Sequence, residues 1–356
     1  MKNFLIKVVS FLIIPSICWA FLEAVLPITF FTHRHYEALP FQTGVPHRTD
    51  FYPSTKTDMM AEGDLCYHTS KSILKNEFWI TDKLGFRNNE FIEKADILFI
   101  GDSFTQGCSL GQDEIISNRV KDKLGAGIKV YNMAPCSFSS YERFVNTGII
   151  KKPRLIIYSI VERVVPEMMS DYNASMNSKF KSKVIDFFEI GNMNVYIDKV
   201  FKHFSINSIQ AWIHDSKGIG VPAKGNPNMF FMKGVSQKHS EQDLYKTAGV
   251  VTSYKRYCDS LGIKFIFIPM PDKETVYYEL VPFGKQPDYL RKLDSLLGKA
   301  GVTTINTLKI YNNYRRINKE LLYHFDDSHW NSNATELISK HIAEKMKGEN
   351  LLFSIK

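Results

Sequence analysis

Asp96-Ile97-Leu98-Phe99-Ile100-Gly101-Asp102-Ser103-Phe104-Thr105-Gln106-Gly107 is the stretch from which the rest of the chain is best read. Residues 97–100 are an unbroken apolar run, as in a short strand covered on both faces of a parallel sheet. A glycine, an aspartate and a serine follow at once, and a helical pattern comes after them. In an open α/β sheet the carboxyl ends of the strands line the ligand crevice. Ser103 is therefore expected on that rim. Its backbone N–H opens the next helix, where partial positive charge gathers, so it is one candidate donor to an oxyanion.

Outward from this stretch the pattern repeats. Further apolar strands are expected at 128–132, 155–160, 264–269 and 302–305, with helical patterns at 114–124, 139–150, 241–261, 286–299 and 333–346. Strands alternating with helices predict an α/β fold: a parallel sheet with helices on both faces. Residues 163–240 break the rhythm and are read as an insertion, basic and rich in aromatic residues: a cap over the active site, or a helical subdomain with its own small core. Residues 32–95 are polar, without a clear period, and are read as an extended connector with edge elements. Within them, Phe78-Trp79-Ile80-Thr81-Asp82 and Leu84-Gly85-Phe86-Arg87-Asn88 suggest a strand and turn on the edge of the domain. The main domain is expected over 96–348.

Composition limits the function classes. The chain has 356 residues, 44% hydrophobic, 13% aromatic and 23% charged, which excludes a disordered chain. The formal net charge of +8 permits an anionic partner, but no dense basic run or nucleic-acid motif accompanies it. No nucleic-acid partner, cofactor or metal is expected. His33 and His35 lack further ligands, and no two of the five cysteines have CxxC spacing. Cys108 and Cys136 each follow a predicted strand; a disulfide between them and two buried thiols are the two readings.

A serine needs a base, and the base needs an orienting acid. Phe325-Asp326-Asp327-Ser328-His329-Trp330-Asn331, just before the last predicted helix, offers both. Either Asp326 or Asp327 can turn onto the imidazole and leave its other nitrogen for Ser103. Spacing does not choose between them. Asp102, Glu162, Arg163 and Asn331 are further candidates for substrate or structural roles.

Gly101-Asp102-Ser103-Phe104 and the Asp326/Asp327–His329 block resemble the SGNH (GDSL-type) hydrolase superfamily, over roughly residues 95–348. The resemblance implies a three-layer, flavodoxin-like α/β/α fold and acyl-ester chemistry. It also implies Ser103 as nucleophile, His329 as base and one of the two aspartates as orienter. The middle blocks depart from the family. Asn132-Met133-Ala134-Pro135-Cys136-Ser137 has no oxyanion glycine, and Ser137 is the candidate for that backbone donor. Tyr158-Ser159-Ile160-Val161-Glu162-Arg163 lacks the usual asparagine. Its Glu-Arg pair resembles the branch of alginate O-acetyltransferase-like proteins, although an ion pair at a strand end would give the same sequence.

The N-terminus completes the expectation. Residues 4–31 are largely apolar behind Lys2 and around Lys7, with Glu23 as their only acid. This predicts a signal anchor or transmembrane helix over 1–31, with a cleaved signal peptide as the competing reading. The bulk of the chain would then be periplasmic or otherwise extracytoplasmic. With the resemblance, which implies acetylation of an exopolysaccharide, the expected protein is a membrane-anchored serine enzyme that O-acetylates a surface polysaccharide through an acyl-Ser103 intermediate. The resemblance further implies an integral-membrane protein as acyl donor, and the membrane would be held through the N-terminal helix. The alternative is a stand-alone carbohydrate or lipid esterase. A second alternative is an inactive scaffold of this type that binds or assembles glycans.

Overall fold

The structure, a computed structural model, describes residues 2–25, 51, 54–165, 218, 220–233, 239–281 and 285–349. Most of the expected cap, residues 166–217, lies outside these, as do His33 and His35.

Residues Lys2–Val25 form a helix, α1, with Pro15 inside it. Among the described residues, however, no helix is long and apolar enough to cross a membrane. Lys7 interrupts the apolar sequence of α1, whereas a bilayer core takes about 20 apolar residues. The expected transmembrane anchor is corrected accordingly. With it go the membrane as a partner, the membrane-bound acyl donor that the anchor was to meet, and the extracytoplasmic placement inferred from it.

Strands β1 (Lys56–Ala61) and β2 (Lys75–Ile80) form an antiparallel pair inside the stretch read as connector. The main sheet follows. It comprises β3 (Ile97–Gly101), β4 (Val130–Asn132), β5 (Leu155–Val161), β8 (Lys264–Met270) and the two-residue β9 (Thr303–Thr304). All neighbours in it are parallel, in the order β4-β3-β5-β8-β9. Renumbered along the chain this is 2-1-3-4-5, the flavodoxin-like order. Every residue of β3, β4 and β5 is buried, because helices cover both faces. A separate hairpin, β6 (Val221–Ala223) and β7 (Asn226–Phe231), is the described part of the insertion.

One helical layer holds α3 (Ile116–Leu124), α8 (Thr307–Ile317) and α9 (Ser332–Gly348), which pack on one another. The other holds α4 (Phe138–Asn146), α5 (Glu241–Ser260) and α7 (Tyr289–Lys299). There Phe138 of α4 stacks on Tyr254 of α5 with centroids 4.1 Å apart. Two one-turn helices, α2 (Ser103–Gln106) and α6 (Lys273–Val276), follow β3 and β8 directly. Both therefore sit on the carboxyl rim, where chemistry is expected.

The turn from β3 into α2 depends on its first glycine. Gly101 has φ +154°, and a Cβ there would lie 1.8 Å from the Ser159 carbonyl oxygen. Only glycine lets β3 approach β5 this closely. Asp102 caps α2: one carboxylate oxygen accepts from Phe104 N at 2.9 Å and the other from Val161 N at 2.7 Å. Its role is to lock the serine turn onto the end of β5.

Candidate active site

Ser103, the first residue of α2, presents its hydroxyl to the segment before α9. Ser103 Oγ lies 2.8 Å from His329 Nε2. His329 Nδ1 lies 2.6 Å from Asp327 Oδ1, and that oxygen also accepts from His329 N at 2.8 Å. The imidazole is buried, and the Phe104 ring packs on it with centroids 4.9 Å apart. Aspartate, imidazole and hydroxyl thus form one continuous relay, with the hydroxyl end half-buried.

Asp326 is not part of this relay. Its Oδ1 takes Lys75 Nζ at 2.6 Å, and its Oδ2 takes Ile73 N at 2.8 Å and Gly63 N at 3.2 Å. A Cβ on residue 63 would lie 2.3 Å from the Asp326 carbonyl oxygen, so a glycine is needed where the two segments meet. Adjacent aspartates therefore face opposite ways, one toward the imidazole and one toward the β1–β2 unit.

Ser137 caps α4, its Oγ accepting from Ser140 N at 3.2 Å. The preceding Cys136 N donates to Gly101 O at 2.8 Å, which brings the second block beside the serine turn. Asn331 caps α9, accepting from Ala334 N at 3.2 Å, and donates to Leu321 O at 2.8 Å. Cys108 and Cys136 are both buried free thiols, so the reading as two thiols holds.

Glu162 and Arg163 turn to different partners instead of pairing. Arg163 Nη1 meets Asp272 Oδ1 at 2.5 Å, and its Nη2 lies 3.4 Å from Ser328 Oγ. Glu162 Oε2 accepts from Thr275 Oγ1 at 2.6 Å and Asp272 N at 3.2 Å. Burial pushes the Glu162 carboxyl well up, and the nearby Asp272 charge adds to this. Glu274 is likewise pushed up to about 7 by burial. Burial pulls Lys273 down to about 8; its Nζ donates to Phe325 O and Asp327 O, both at 3.0 Å. This buried ionic cluster underlies the loop that carries Asp327 and His329.

The raised Glu162 carboxyl has a consequence for stability. Its folded value lies above its unfolded one, so its contribution is full at low pH. That contribution is lost as pH rises from the unfolded value of 4.5 through the folded one. Each unit of displacement is worth about 1.4 kcal/mol. Glu162→Gln imitates the protonated acid and should remove this loss. Relative to the native chain, the variant is expected to gain at least about 1.4 kcal/mol between pH 4 and pH 9 in denaturant titrations. Parallel stability curves would show that Glu162 does not titrate in this way.

Several residues at the site were not anticipated. Ser109 Oγ donates to Asp327 Oδ2 at 2.6 Å, and Asp64 N reaches the same oxygen at 3.2 Å. Arg87 is fully buried and binds the carbonyls of Gly107 at 2.5 Å and Leu110 at 2.6 Å, bracing the end of α2. The Leu84-Gly85-Phe86-Arg87-Asn88 turn was the available signal, since a buried arginine in a turn must find carbonyls. Asp64, Asp327 and His329 offer donor atoms within 4.8 Å of one another. Nδ1 is committed to Asp327, so the triplet reads as an acid–base network. A groove of about 800 Å³ along α8, reaching from Tyr278 to Arg316, includes none of these residues.

Comparison with known proteins bears on the same region. A family model described as "SGNH hydrolase-like domain, acetyltransferase AlgX" matches residues 223–354, which hold Asp327 and His329 but not Ser103. Among solved structures, a GDSL-like lipase from Bacteroides thetaiotaomicron aligns with 72% of this chain and 89% of its own. The identity is 11% and the TM-score 0.33. No curated protein matches. Over the matched residues the chain is similar to an SGNH hydrolase-like domain, and its parallel sheet, its Gly-Asp-Ser turn and its Ser–His–Asp cluster agree with that similarity.

Proposed function

We propose that this protein is a stand-alone serine esterase acting on a carbohydrate or lipid ester, with Ser103 as nucleophile, His329 as general base and Asp327 as orienter. The observation that carries this reading is the relay of 2.8 Å from Ser103 Oγ to His329 Nε2 and 2.6 Å from His329 Nδ1 to Asp327 Oδ1. Membrane-tethered acetylation of a polysaccharide is set aside together with the anchor that motivated it.

The chemistry follows from the positions. Ser103 Oγ attacks the acyl carbon and its proton passes to Nε2. Asp327 stabilises the resulting imidazolium. Backbone N–H groups of Ser103 and Ser137 are the proposed donors to the oxyanion. As the intermediate collapses, Nε2 returns the proton to the departing alcohol, which leaves an acyl-Ser103. Water, deprotonated by the same nitrogen, then releases the carboxylic acid.

The test uses the full chain and p-nitrophenyl acetate, with no partner added. Steady turnover and an acetyl adduct on Ser103, trapped by acid quench and located by mass spectrometry, are expected. Absence of both turnover and adduct would favour the inactive glycan-binding scaffold. The matched family model carries an acetyltransferase name, so sugar alcohols should be included as acceptors. If they take the acetyl group in place of water, transfer replaces hydrolysis as the second step.

A further inference from the structure

Asp64 belongs to the segment between β1 and β2, outside the three-layer core, yet it grips the loop carrying the base on both sides of Asp327. Its backbone N–H donates to Asp327 Oδ2 at 3.2 Å. Its carboxylate accepts from Ser328 N at 2.7 Å and from Ser328 Oγ at 2.6 Å. Leu65 N adds a bond to Asp326 O at 3.0 Å. The carboxylate is then held with Oδ2 3.6 Å from His329 Nδ1. We infer that Asp64 is a second acid of the site, a positioning residue that fixes the 326–328 loop and places negative charge where the imidazolium forms.

The neighbours of the ring leave this role to Asp64. Asp327 supplies the direct hydrogen bond to Nδ1. Asp102 is nearby but is occupied by two backbone N–H groups. Arg163 lies over the Phe104 ring at 5.5 Å and is paired with Asp272. Lys273 donates to two carbonyls beneath the loop. His324 is buried, and burial pulls it down to about 4, so it stays neutral at working pH. The Asp64 carboxylate is mostly buried, with 18% of the side chain exposed. Its field at the ring is therefore only partly screened.

The inference rests on the proposed Ser103–His329 chemistry, in which the ring is charged only as the tetrahedral state forms. A charge acting on that state alone changes kcat and kcat/KM together and leaves KM in place. Asp64→Asn keeps an acceptor for Ser328 N but removes the charge. It is expected to lower kcat about tenfold, with KM and the thermal midpoint close to those of the native chain. Ser328→Ala removes the hydroxyl's bonds to Asp64 Oδ2 and Arg163 Nη2 but keeps the Asp64 charge, and should change kcat less than threefold. Should Asp64→Asn fail to fold, Asp64→Ser retains a small acceptor without the charge and should show the same split.

Full-chain protein and p-nitrophenyl acetate suffice, with Ser103→Ala measured alongside. If Ser103→Ala is inactive while the Asp64 variant keeps its native kcat, the second acid is wrong and the esterase reading stands. A rise in KM at unchanged kcat overturns it equally. If Ser103→Ala retains native activity, the esterase reading itself has failed.

Discussion

Replacing Ser103 by alanine is expected to lower kcat on an activated ester by about four orders of magnitude or more, without unfolding the protein. The change removes the one atom proposed to bond to the acyl carbon, and any remaining rate comes from binding and oxyanion donors. The fold should tolerate it. The Ser103 hydroxyl is half-buried and its hydrogen bond is to His329, while the turn itself is held by Gly101, Asp102 and Arg87. Stopped-flow kinetics with p-nitrophenyl acetate and a thermal melt measure both quantities. A variant with native stability and a rate within tenfold of the native chain would remove Ser103 from the mechanism.

Asp327→Asn and Asp326→Asn should fail in opposite ways. In Asp327→Asn, one side of the amide faces Ser109 Oγ and Asp64 N and the other faces His329 N and Nδ1, so a backbone N–H loses its acceptor whichever way the group turns. Either way the charge that stabilises the imidazolium is lost, and with the NH2 group toward His329 Nδ1 the tautomer is wrong as well. The ring must accept there, which puts its own proton on Nε2, facing Ser103, where a base is needed. A fall in kcat of about a thousandfold to ten-thousandfold is expected, with a stability cost of about 1–2 kcal/mol. Asp326→Asn instead leaves Lys75 without its carboxylate in a setting where the two side chains are 10% and 0% exposed. Breaking a buried pair costs about 3 kcal/mol or more. Folded Asp326→Asn should turn over at a rate far closer to native than Asp327→Asn does. Comparable rates for the two folded variants would contradict the division of labour between these neighbours.

Much of the architecture was legible because strands covered on both faces must be apolar throughout. The runs at 97–100, 155–160 and 264–269 could be read for that reason, and the serine turn followed from the first of them. The two-residue β9 and the pair β1 and β2 were harder. A two-residue strand has no period, and β1 and β2 exist by pairing with each other, not by facing a core along their length. The anchor was misjudged because apolar composition is a property of a sequence, whereas spanning requires a sufficiently long apolar helix.

At the site, local order along the chain identified the hydroxyl and the imidazole. A serine after a strand and a histidine before a helix are adjacent-residue patterns, and chain connectivity imposes them. The choice between Asp326 and Asp327, the grip of Ser109 and the arrival of Asp64 were not readable in this way. Each depends on a partner far off in the chain: Lys75 is 251 residues from Asp326, Ser109 is 218 from Asp327, and Asp64 is 264 from Ser328. Which carboxylate meets which donor is a matter of packing geometry, and only the assembled chain brings those surfaces together.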